Sequence, residues 1–391
     1  MRIAYICADP GIPVFGQKGC SIHVQEVIRA FRRQGVQVDL FAVRCDNAPP
    51  QDLSDLNVHR LPPIPKLERT VREQISLSIN DDLQKALEQA GPFDLIYERY
   101  SLWSYSAMEL AQKSNIPGIL EVNAPLIEEQ AKYRGLVHQD AAEKVARRAF
   151  QAASKLIAVS QDVKHYLTNW VEADKVQVIP NGVNDHRFSQ DVQPALPKEP
   201  DTFTVGFVGS LKPWHGLSHL VGAFSQLHQH VPQSRLLIVG DGPQRKDMEA
   251  ELTRQGLQSV VFFTGAVAPE AIPGLLVSMD AAVAPYPEAD FYFSPLKVVE
   301  YMAAGLPVVV SRIGQLADLV ENNVTGLLCP PGDEAALAHA LERLWLSPSL
   351  RECLGLMAKR HILMHHTWDG IAKQIIAIAQ NQSQLTNYVV T

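Results

Sequence analysis

The stretch FYFSPLKVVEYMAAGLPVVVS, residues 291–311, decides the fold, because it contains a helix with both ends marked and a strand that follows directly. Ser294 is a residue type that caps helix N-termini, Pro295 suits the first helical position, and Gly305 suits a left-handed stop. The apolar run 308–310 is typical of a strand buried on both faces. The stretch therefore predicts a helix–strand unit of a parallel α/β sheet.

The predicted helix also has the features of a ligand site. Lys297 and Glu300 lie one turn apart on one face, near an N-terminus that favours an anion. The first amides and Lys297 could hold a diphosphate, and the Glu300 carboxylate could accept the two hydroxyls of a ribose. A capped helix whose charges face solvent is the alternative. The residues predicted to contact the ligand here are Phe293, Ser294, Pro295, Leu296, Lys297 and Glu300.

Composition limits the classes of protein that remain. The chain has 391 residues, 46% hydrophobic and 20% charged, which predicts two globular domains. A net charge of −7 argues against a general nucleic-acid binder. The five cysteines are scattered, with no C-x-x-C pair, so we expect a reduced cytoplasmic protein without a zinc site. With no signal-like N-terminus and no apolar run of roughly 20 residues, we expect neither secretion nor a membrane span.

Short apolar runs alternate with helical periodicity along the whole chain, which predicts two doubly wound Rossmann-like domains. The polar, proline-rich segment 189–201 separates them. We predict an N-terminal domain over 1–188, a C-terminal domain over 189–366 and a final helical segment over 367–391. Predicted strands are 2–7, 38–43, 58–61, 95–97, 118–122, 156–159 and 176–179, then 203–208, 236–239, 260–263, 281–284, 308–310 and 326–328.

Two features of the first domain are candidates for ligand contacts. A glycine-rich loop containing Gly19, with Lys18 as an anion contact, precedes a helix predicted over 22–34 that stops at Gly35; a mobile surface loop is the alternative. Asn123 follows a strand and could contact a sugar hydroxyl, or it could cap the next helix. The basic stretch 141–155 could rest on an anionic membrane surface, or it could be a solvated helix face.

The ordered set of motifs resembles family 4 glycosyltransferases with the GT-B fold, in which two Rossmann-like domains face each other across a cleft. The motifs are PNGV at 180–183, VGSLKPWHG at 208–216, VGDGP at 239–243, FTG at 263–265 and SPLKVVEYMAAGLPVV at 294–309. The resemblance implies that Glu300 binds the donor ribose, that the backbone of Ala266 and Val267 meets the nucleobase, and that helices around Trp368 cross back to the first domain. It places the other donor contacts at Gly209, Ser210, Lys212, His215, Gly216, Gly240 and Gly242.

The chain departs from the family pattern at three positions. Tyr292 stands where the first glutamate of the paired motif is expected, and Ser210 and His215 stand where the phosphate-binding arginine and lysine are expected. We therefore expect Lys212 and Lys297, with a partly charged His215, to supply the positive charge. Asn123 stands where relatives often have a histidine and stays a catalytic candidate with Lys297 and Glu300.

The resemblance implies a retaining transferase that uses a nucleoside-diphosphate sugar and a carbohydrate, lipid-linked or small-molecule acceptor. The chain has no D-x-D motif, so we expect no obligatory metal and no cofactor. A non-catalytic nucleotide-sugar-binding protein and an NAD(P)-dependent dehydrogenase are the alternatives. The dehydrogenase would require a G-x-G-x-x-G turn, which is missing after the first predicted strand.

Overall fold

A computed structural model describes residues 1–189, 191–197, 199–288 and 295–389, with side chains as far as Gln382. The described chain forms two compact units. The first comprises residues 1–181 together with the C-terminal helix from Trp368. The second comprises residues 182–288 and 295–367.

The first unit is a parallel sheet with helices on both faces. Its strands have the order β3-β2-β1-β4-β5-β6-β7, and every pair is parallel. The elements are β1 (Arg2–Cys7), α1 (Gly19–Arg33), β2 (Gln37–Ala42), β3 (Asn57–Arg60), α2 (Arg69–Ala90), β4 (Leu95–Arg99), α3 (Ser106–Lys113), β5 (Gly118–Val122), α4 (Leu126–Tyr133), α5 (Gln139–Ala152), β6 (Lys155–Ala158), α6 (Gln161–Leu167) and β7 (Val176–Val178).

The second unit has the same architecture. Its sheet has the strand order β10-β9-β8-β11-β12-β13, again parallel throughout. The elements are β8 (Phe203–Val208), α7 (Leu217–His230), β9 (Ser234–Val239), α8 (Arg245–Arg254), β10 (Val261–Gly265), α9 (Ile272–Leu276), β11 (Ala281–Ala284), α10 (Leu296–Ala303), β12 (Val308–Ser311), α11 (Leu316–Leu319), β13 (Leu327–Cys329), α12 (Glu334–Leu346) and α13 (Pro348–His365).

The last helix, α14 (Trp368–Val389), packs on α1 of the first unit. Arg33 pairs with Asp369 at 2.6 Å, and the rings of His23 and Trp368 meet edge to face with centroids 5.1 Å apart. The chain thus returns to its first sheet after completing the second.

Every predicted strand overlaps an observed strand, and the predicted doubly wound fold class is confirmed. The helix predicted over 22–34 instead begins at Gly19, because the first turn contains polar residues that lack the apolar periodicity. Its predicted stop is confirmed, since Gly35 has φ +74° and its N–H bonds to the Arg32 carbonyl.

The basic stretch predicted for either a membrane or solvent is α5 and its C-terminal flank, and most of its cations have partners within the protein. Arg148 forms two hydrogen bonds to Glu109, of 2.6 and 2.8 Å, and Arg147 lies 5.5 Å from the Trp170 ring centroid. Lys155 donates to the Asp174 carbonyl. Among the described residues, no helix is long and apolar enough to cross a bilayer.

Candidate active site

Glycine residues, whose backbone has no side chain, form the carboxyl edge of the second sheet where β8 and β9 end. Gly209 and Gly240 have φ values of +148° and +135°, in the region that favours glycine. The Gly209 N–H bonds to the Val239 carbonyl at 2.9 Å, and the Gly240 N–H bonds to the Gly265 carbonyl at 3.0 Å. A Cβ at residue 240 would lie 2.1 Å from the Gly209 oxygen. These positions therefore need glycine to bring the three loops together at one edge.

The loops after β8 and β9 are also bonded to each other. Leu211 donates its N–H to the Asp241 carbonyl and accepts the Gln244 N–H, at 3.0 and 3.1 Å. A Cβ on Gly242 would lie 2.6 Å from the Leu211 oxygen. Ser210 and Lys212 belong to the same loop, with the Lys212 ammonium 5.8 Å from the Trp214 ring centroid. The predicted donor-binding loops thus form one rigid edge.

His215 is buried in this loop and neutral. Its Nδ1 lies 2.6 Å from the Ser210 carbonyl oxygen, and a carbonyl can only accept, so Nδ1 carries the proton. Burial, and then the positive charges of Lys297 and Lys212, lower the pKa of His215 to about 4, against the opposing hydrogen bond to Ser210. The expectation of a partly charged His215 is therefore wrong for the free protein, because burial cannot be read from the motif. Gly216, with φ +66°, follows; a Cβ there would overlap the Pro285 carbonyl oxygen.

Helix α10 presents Lys297 to this edge. The Lys297 ammonium is buried, with no hydrogen-bond partner among the described residues. It lies 4.5 Å from the Phe207 ring centroid and 5.4 Å from that of Tyr286. A Cβ on Gly209 would come within 3.0 Å of the ammonium nitrogen. Burial lowers the pKa of Lys297 to about 7, because no partner compensates for the lost hydration.

The two ends of α10 differ in how they match the sequence prediction. The helix begins at Leu296, so Pro295 flanks it instead of occupying its first position, and the Pro295 carbonyl accepts the Val298 N–H. Phe293 and Ser294 lie outside the described residues, and so does Tyr292. The predicted stop is confirmed: Gly305 has φ +77° and donates to the Met302 carbonyl.

Tyr301, on the buried side of α10, fixes the helix to β8. Its hydroxyl accepts the Val208 N–H at 2.7 Å and donates to the Val208 carbonyl at 3.1 Å. Val208 is the last residue of β8 and precedes Gly209. This link holds Lys297 against the glycine edge.

Glu300 is paired with an arginine that the sequence analysis missed. The Arg187 guanidinium donates to a Glu300 carboxylate oxygen at 3.1 Å and also to the Pro269 carbonyl. Both side chains are half-buried, with 20% and 24% of their surface exposed. Pro269 follows Ala266 and Val267, the predicted nucleobase segment, which lies at the surface directly after β10. Arg187 therefore ties the predicted ribose-binding and nucleobase-binding positions together.

In the first unit, Asn123 belongs to a buried polar network. Its amide donates to the Glu121 carboxylate, which also accepts from the Tyr97 hydroxyl. Helix α4 begins at Leu126 without a side-chain cap, so the alternative that Asn123 caps this helix is wrong. This hydrogen bond points inward from the amide and orients Asn123 at the end of β5.

The rest of this network is held by Arg99 and His23. Arg99 is a permanent donor that lies 3.1 Å from the His23 Nδ1, so Nδ1 accepts and the His23 proton is on Nε2, 2.9 Å from Glu121. Burial lowers the pKa of His23 and keeps it neutral. Burial alone would raise the pKa of Glu121, but His23, Arg99 and Tyr97 together lower it to about 2. Apart from polar residues at strand ends, no sequence pattern indicated this set.

Gly19 is the first residue of α1, with open space around the position of a Cβ. It lies in the first unit, whereas the predicted donor residues from Gly209 to Glu300 that the structure describes all lie in the second. No group of three or more histidine, cysteine, aspartate or glutamate residues with a metal-binding arrangement occurs within the described ranges.

Two family models match the chain, one in each half. Residues 18–187 match Glycosyltransferase Family 4, and residues 202–347 match Glycosyl transferases group 1. The chain is 25% identical to an uncharacterized glycosyltransferase of Methanocaldococcus jannaschii, over 97% of both chains. It is 26% identical to a D-inositol 3-phosphate glycosyltransferase of Actinosynnema mirum, over 92% of this chain and 91% of the relative.

The solved structures agree with this assignment of the fold. HepE of Anabaena, in complex with UDP, superposes with a TM-score of 0.73 at 21% identity, covering 97% of this chain and all of HepE. The two parallel Rossmann-like sheets and this neighbour therefore define the GT-B fold. The chain is therefore a glycosyltransferase, whose N-terminal half matches family 4 and whose C-terminal half matches group 1, in agreement with its motifs, and the dehydrogenase alternative is wrong.

Proposed function

We propose that this glycosyltransferase moves a sugar from a nucleoside-diphosphate sugar to an acceptor, with retention of anomeric configuration and without an obligatory metal ion. The observation that carries the proposal is Lys297, whose buried ammonium faces the bare backbone of Gly209 with no polar partner among the described residues. An ammonium in such a place is costly until an anion binds beside it. A diphosphate is an anion that fits a glycine edge of this kind. UDP is the natural probe, because HepE binds it with the same fold.

The proposed reaction needs charge stabilisation more than a base. The bond between the anomeric carbon and the β-phosphate oxygen breaks, and the acceptor oxygen bonds to that carbon on the same face. The acceptor proton passes to the departing phosphate oxygen, so atoms and charges balance without a side-chain base. Lys297 stabilises the negative charge that develops on the diphosphate, with Lys212 as the second cation. Neutral His215 adds no charge, and its protonated Nδ1 is already bonded to Ser210.

In this proposal, Glu300 binds the nucleoside. Its carboxylate, oriented by Arg187, accepts the ribose hydroxyls, while the backbone of Ala266 and Val267 meets the base. Arg187 is a positioning residue, since it acts on the ribose only through Glu300. Asn123 lies at the carboxyl edge of the first sheet, where the acceptor is proposed to bind.

The experiment is an assay of UDP release from UDP-sugars with an acceptor panel, in the presence of a metal chelator. Lys297→Met keeps most of the side-chain volume and removes the charge. We expect turnover to fall about a hundredfold, the loss typical of one contact to a developing oxyanion. Lys246→Met, at an exposed site on α8, is the matched control. NMR of the product anomer tests retention.

Three results would contradict the proposal. Wild-type turnover in Lys297→Met would remove this residue from the reaction, and an inverted product would remove the same-face mechanism. Loss of activity on chelation, restored by a divalent cation, would show that a metal is required. Stoichiometric UDP-sugar binding with no transfer to any acceptor would favour the non-catalytic binding protein.

A further inference from the structure

The first unit contains a cavity of about 530 Å³ at the carboxyl edge of its own sheet. Segments that follow β1, β2, β4 and β5 line it, together with the first turns of α2 and residues of α4. The described lining contains five cations, Lys18, Arg44, Arg69, Arg72 and Arg134, and three carboxylates, Asp9, Glu73 and Glu129.

Each of the three carboxylates already has a partner. Asp9 accepts the Gly11 N–H at 2.6 Å. Glu73, which is buried, accepts the N–H groups of Val137 and His138 at 3.0 and 2.9 Å and also contacts the His138 ring. Glu129 pairs with Arg134 at 2.9 Å. The carboxylates are therefore occupied in holding the walls.

The cations are only partly compensated. Arg44 pairs with Asp46, and Arg134 with Glu129. The side chains of Lys18, Arg69 and Arg72, which are exposed to solvent, have no hydrogen bond or ion pair within the described part of the chain. Three cations thus share one cavity without an ion-pair partner among the described residues, and the five lining cations outnumber the three lining carboxylates.

The position of two of these cations is unfavourable for the helix that carries them. Arg69 is the first residue of α2 and Arg72 follows one turn later. The first turn contains no acidic residue, and Glu68 at the N-cap makes no side-chain hydrogen bond to the helix. A cation at a helix N-terminus opposes the helix dipole unless an anion lies beside it. Gly135 leaves the space for Arg69: its φ is +79°, and a Cβ there would lie 2.2 Å from an Arg69 nitrogen. The chain therefore accommodates an arrangement that a bound anion would stabilise.

We infer that this cavity binds a phosphate group of the acceptor, with Arg69 and Arg72 as its principal contacts and Lys18 as the third. Guanidinium groups bind phosphate through paired hydrogen bonds. A phosphate dianion matches the charge of three cations better than a single carboxylate would. That the ligand is the acceptor rests on the proposed function, because the donor elements lie in the second unit. The presence of a phosphate site follows from the cavity alone.

Exposed apolar side chains flank the cavity cations in sequence, which leaves two sources for the phosphate. Leu67 and Val71 flank Arg69, and Tyr133 precedes Arg134, with 51%, 41% and 66% of their surface exposed. A free phosphorylated sugar or cyclitol would use the cations alone. A phosphate at a lipid headgroup would use the cations while these apolar side chains meet the bilayer.

The test measures binding of inorganic phosphate by calorimetry to the full-length protein saturated with UDP, so that the donor site is occupied. The variants are Arg69→Met, Arg72→Met and the double variant; Lys85→Met, at an exposed site further along α2, is the control. We expect each arginine variant to weaken phosphate binding about tenfold, the loss typical of a charge-assisted hydrogen bond, while Lys85→Met has no effect. Melting temperatures of the free arginine variants should be unchanged or higher, because the removed charges oppose the helix dipole.

Equal phosphate affinity in the wild type and the double variant, or no phosphate binding by the wild type, would overturn the inference. Either single variant suffices if the double variant does not fold. Phosphate binding does not depend on turnover, so it would survive a failure of the Lys297 experiment. Co-sedimentation with phosphatidylcholine vesicles, with and without phosphatidylinositol, separates the sources. Sedimentation with the vesicles that is lost in the double variant identifies a lipid headgroup. Phosphate binding without sedimentation identifies a free phosphorylated acceptor.

Discussion

Lys297 is expected to make UDP binding weaken as pH rises above neutrality. Burial lowers the pKa of its ammonium to about 7 in the free protein, and a bound diphosphate would raise this pKa. Above pH 7, binding must therefore take up a proton, and affinity should fall by up to about tenfold per pH unit. Titration calorimetry between pH 7 and 9 measures this directly. The Lys297→Met variant should bind UDP more weakly but with a flat profile; a parallel decline in both proteins would assign the pH dependence elsewhere.

Arg187 and Glu300 are expected to act on UDP as one unit. Arg187→Met frees the carboxylate from its orienting partner, and Glu300→Gln removes the acceptor for one ribose hydroxyl. Each change should weaken UDP binding roughly tenfold, and the double variant should lose little more than either alone. Arg254→Met, which removes an exposed pair with Glu251 in the same unit, is the control. Additive losses in the double-mutant cycle would show that Arg187 contacts the ligand independently of Glu300.

At single residues, the sequence predicted position better than charge state or partnership. The placement of Lys297 and Glu300 on one short helix was predictable from their spacing. Arg187 was not, because it meets Glu300 across 113 positions of sequence. The neutrality of His215 and His23 depends on burial and on which ring nitrogen accepts a hydrogen bond, and neither is visible in a motif.

Among the elements, the glycine edge of the second sheet is expected to be intolerant of a single methyl group at Gly240. A Cβ there would meet the Gly209 oxygen at 2.1 Å, and φ is +135°. Gly240→Ala should therefore cost about 2 kcal/mol or more in the free energy of unfolding and should weaken UDP binding as well. Gly256→Ala is the control: its φ is +71° with no atom within 4 Å, so it should cost about 1 kcal/mol and leave UDP binding unchanged. Urea unfolding and UDP titration measure both; equal costs would mean that the close approach does not matter.

The elements themselves were largely predictable, for a physical reason. Parallel strands buried on both faces consist largely of unbroken apolar residues, such as the run 308–310 of β12 and Ala281–Ala284. Helix ends were less predictable, because the first turn of α1 depends on backbone bonds to Lys18 and has no apolar pattern. Lys18 was predicted as an anion contact, but the cavity it lines was beyond sequence reasoning, since the other cations come from separate segments.

For the whole molecule, each unit contains a buried ionisable group, and the two groups respond to pH in opposite ways. Glu98, on β4 of the first unit, has its pKa raised to about 7 by burial, with the Ser104 hydroxyl opposing. Lys297, in the second unit, has its pKa lowered to about 7 by burial. An acid whose pKa is raised by folding favours the folded state at low pH, and a base whose pKa is lowered by folding favours it at high pH. Each unit therefore contributes its own slope to the pH dependence of stability.

Glu98→Gln should remove the slope that belongs to the first unit. The wild-type carboxyl is protonated in both states below pH 4.5, so its contribution is fully present there and is lost as pH rises through about 7. The free-energy advantage of the Gln variant should thus grow between pH 4.5 and 7, reaching on the order of 3 kcal/mol, and then level off. Lys297→Met should behave in the opposite way, with an advantage that shrinks from pH 7 to 9. Saturating UDP should abolish the Lys297→Met advantage and leave that of Glu98→Gln unchanged, because only Lys297 is proposed to meet the ligand. Urea unfolding across this pH range, with and without UDP, measures all four curves; a Glu98→Gln advantage that is flat with pH would mean that this carboxyl titrates normally in the folded protein.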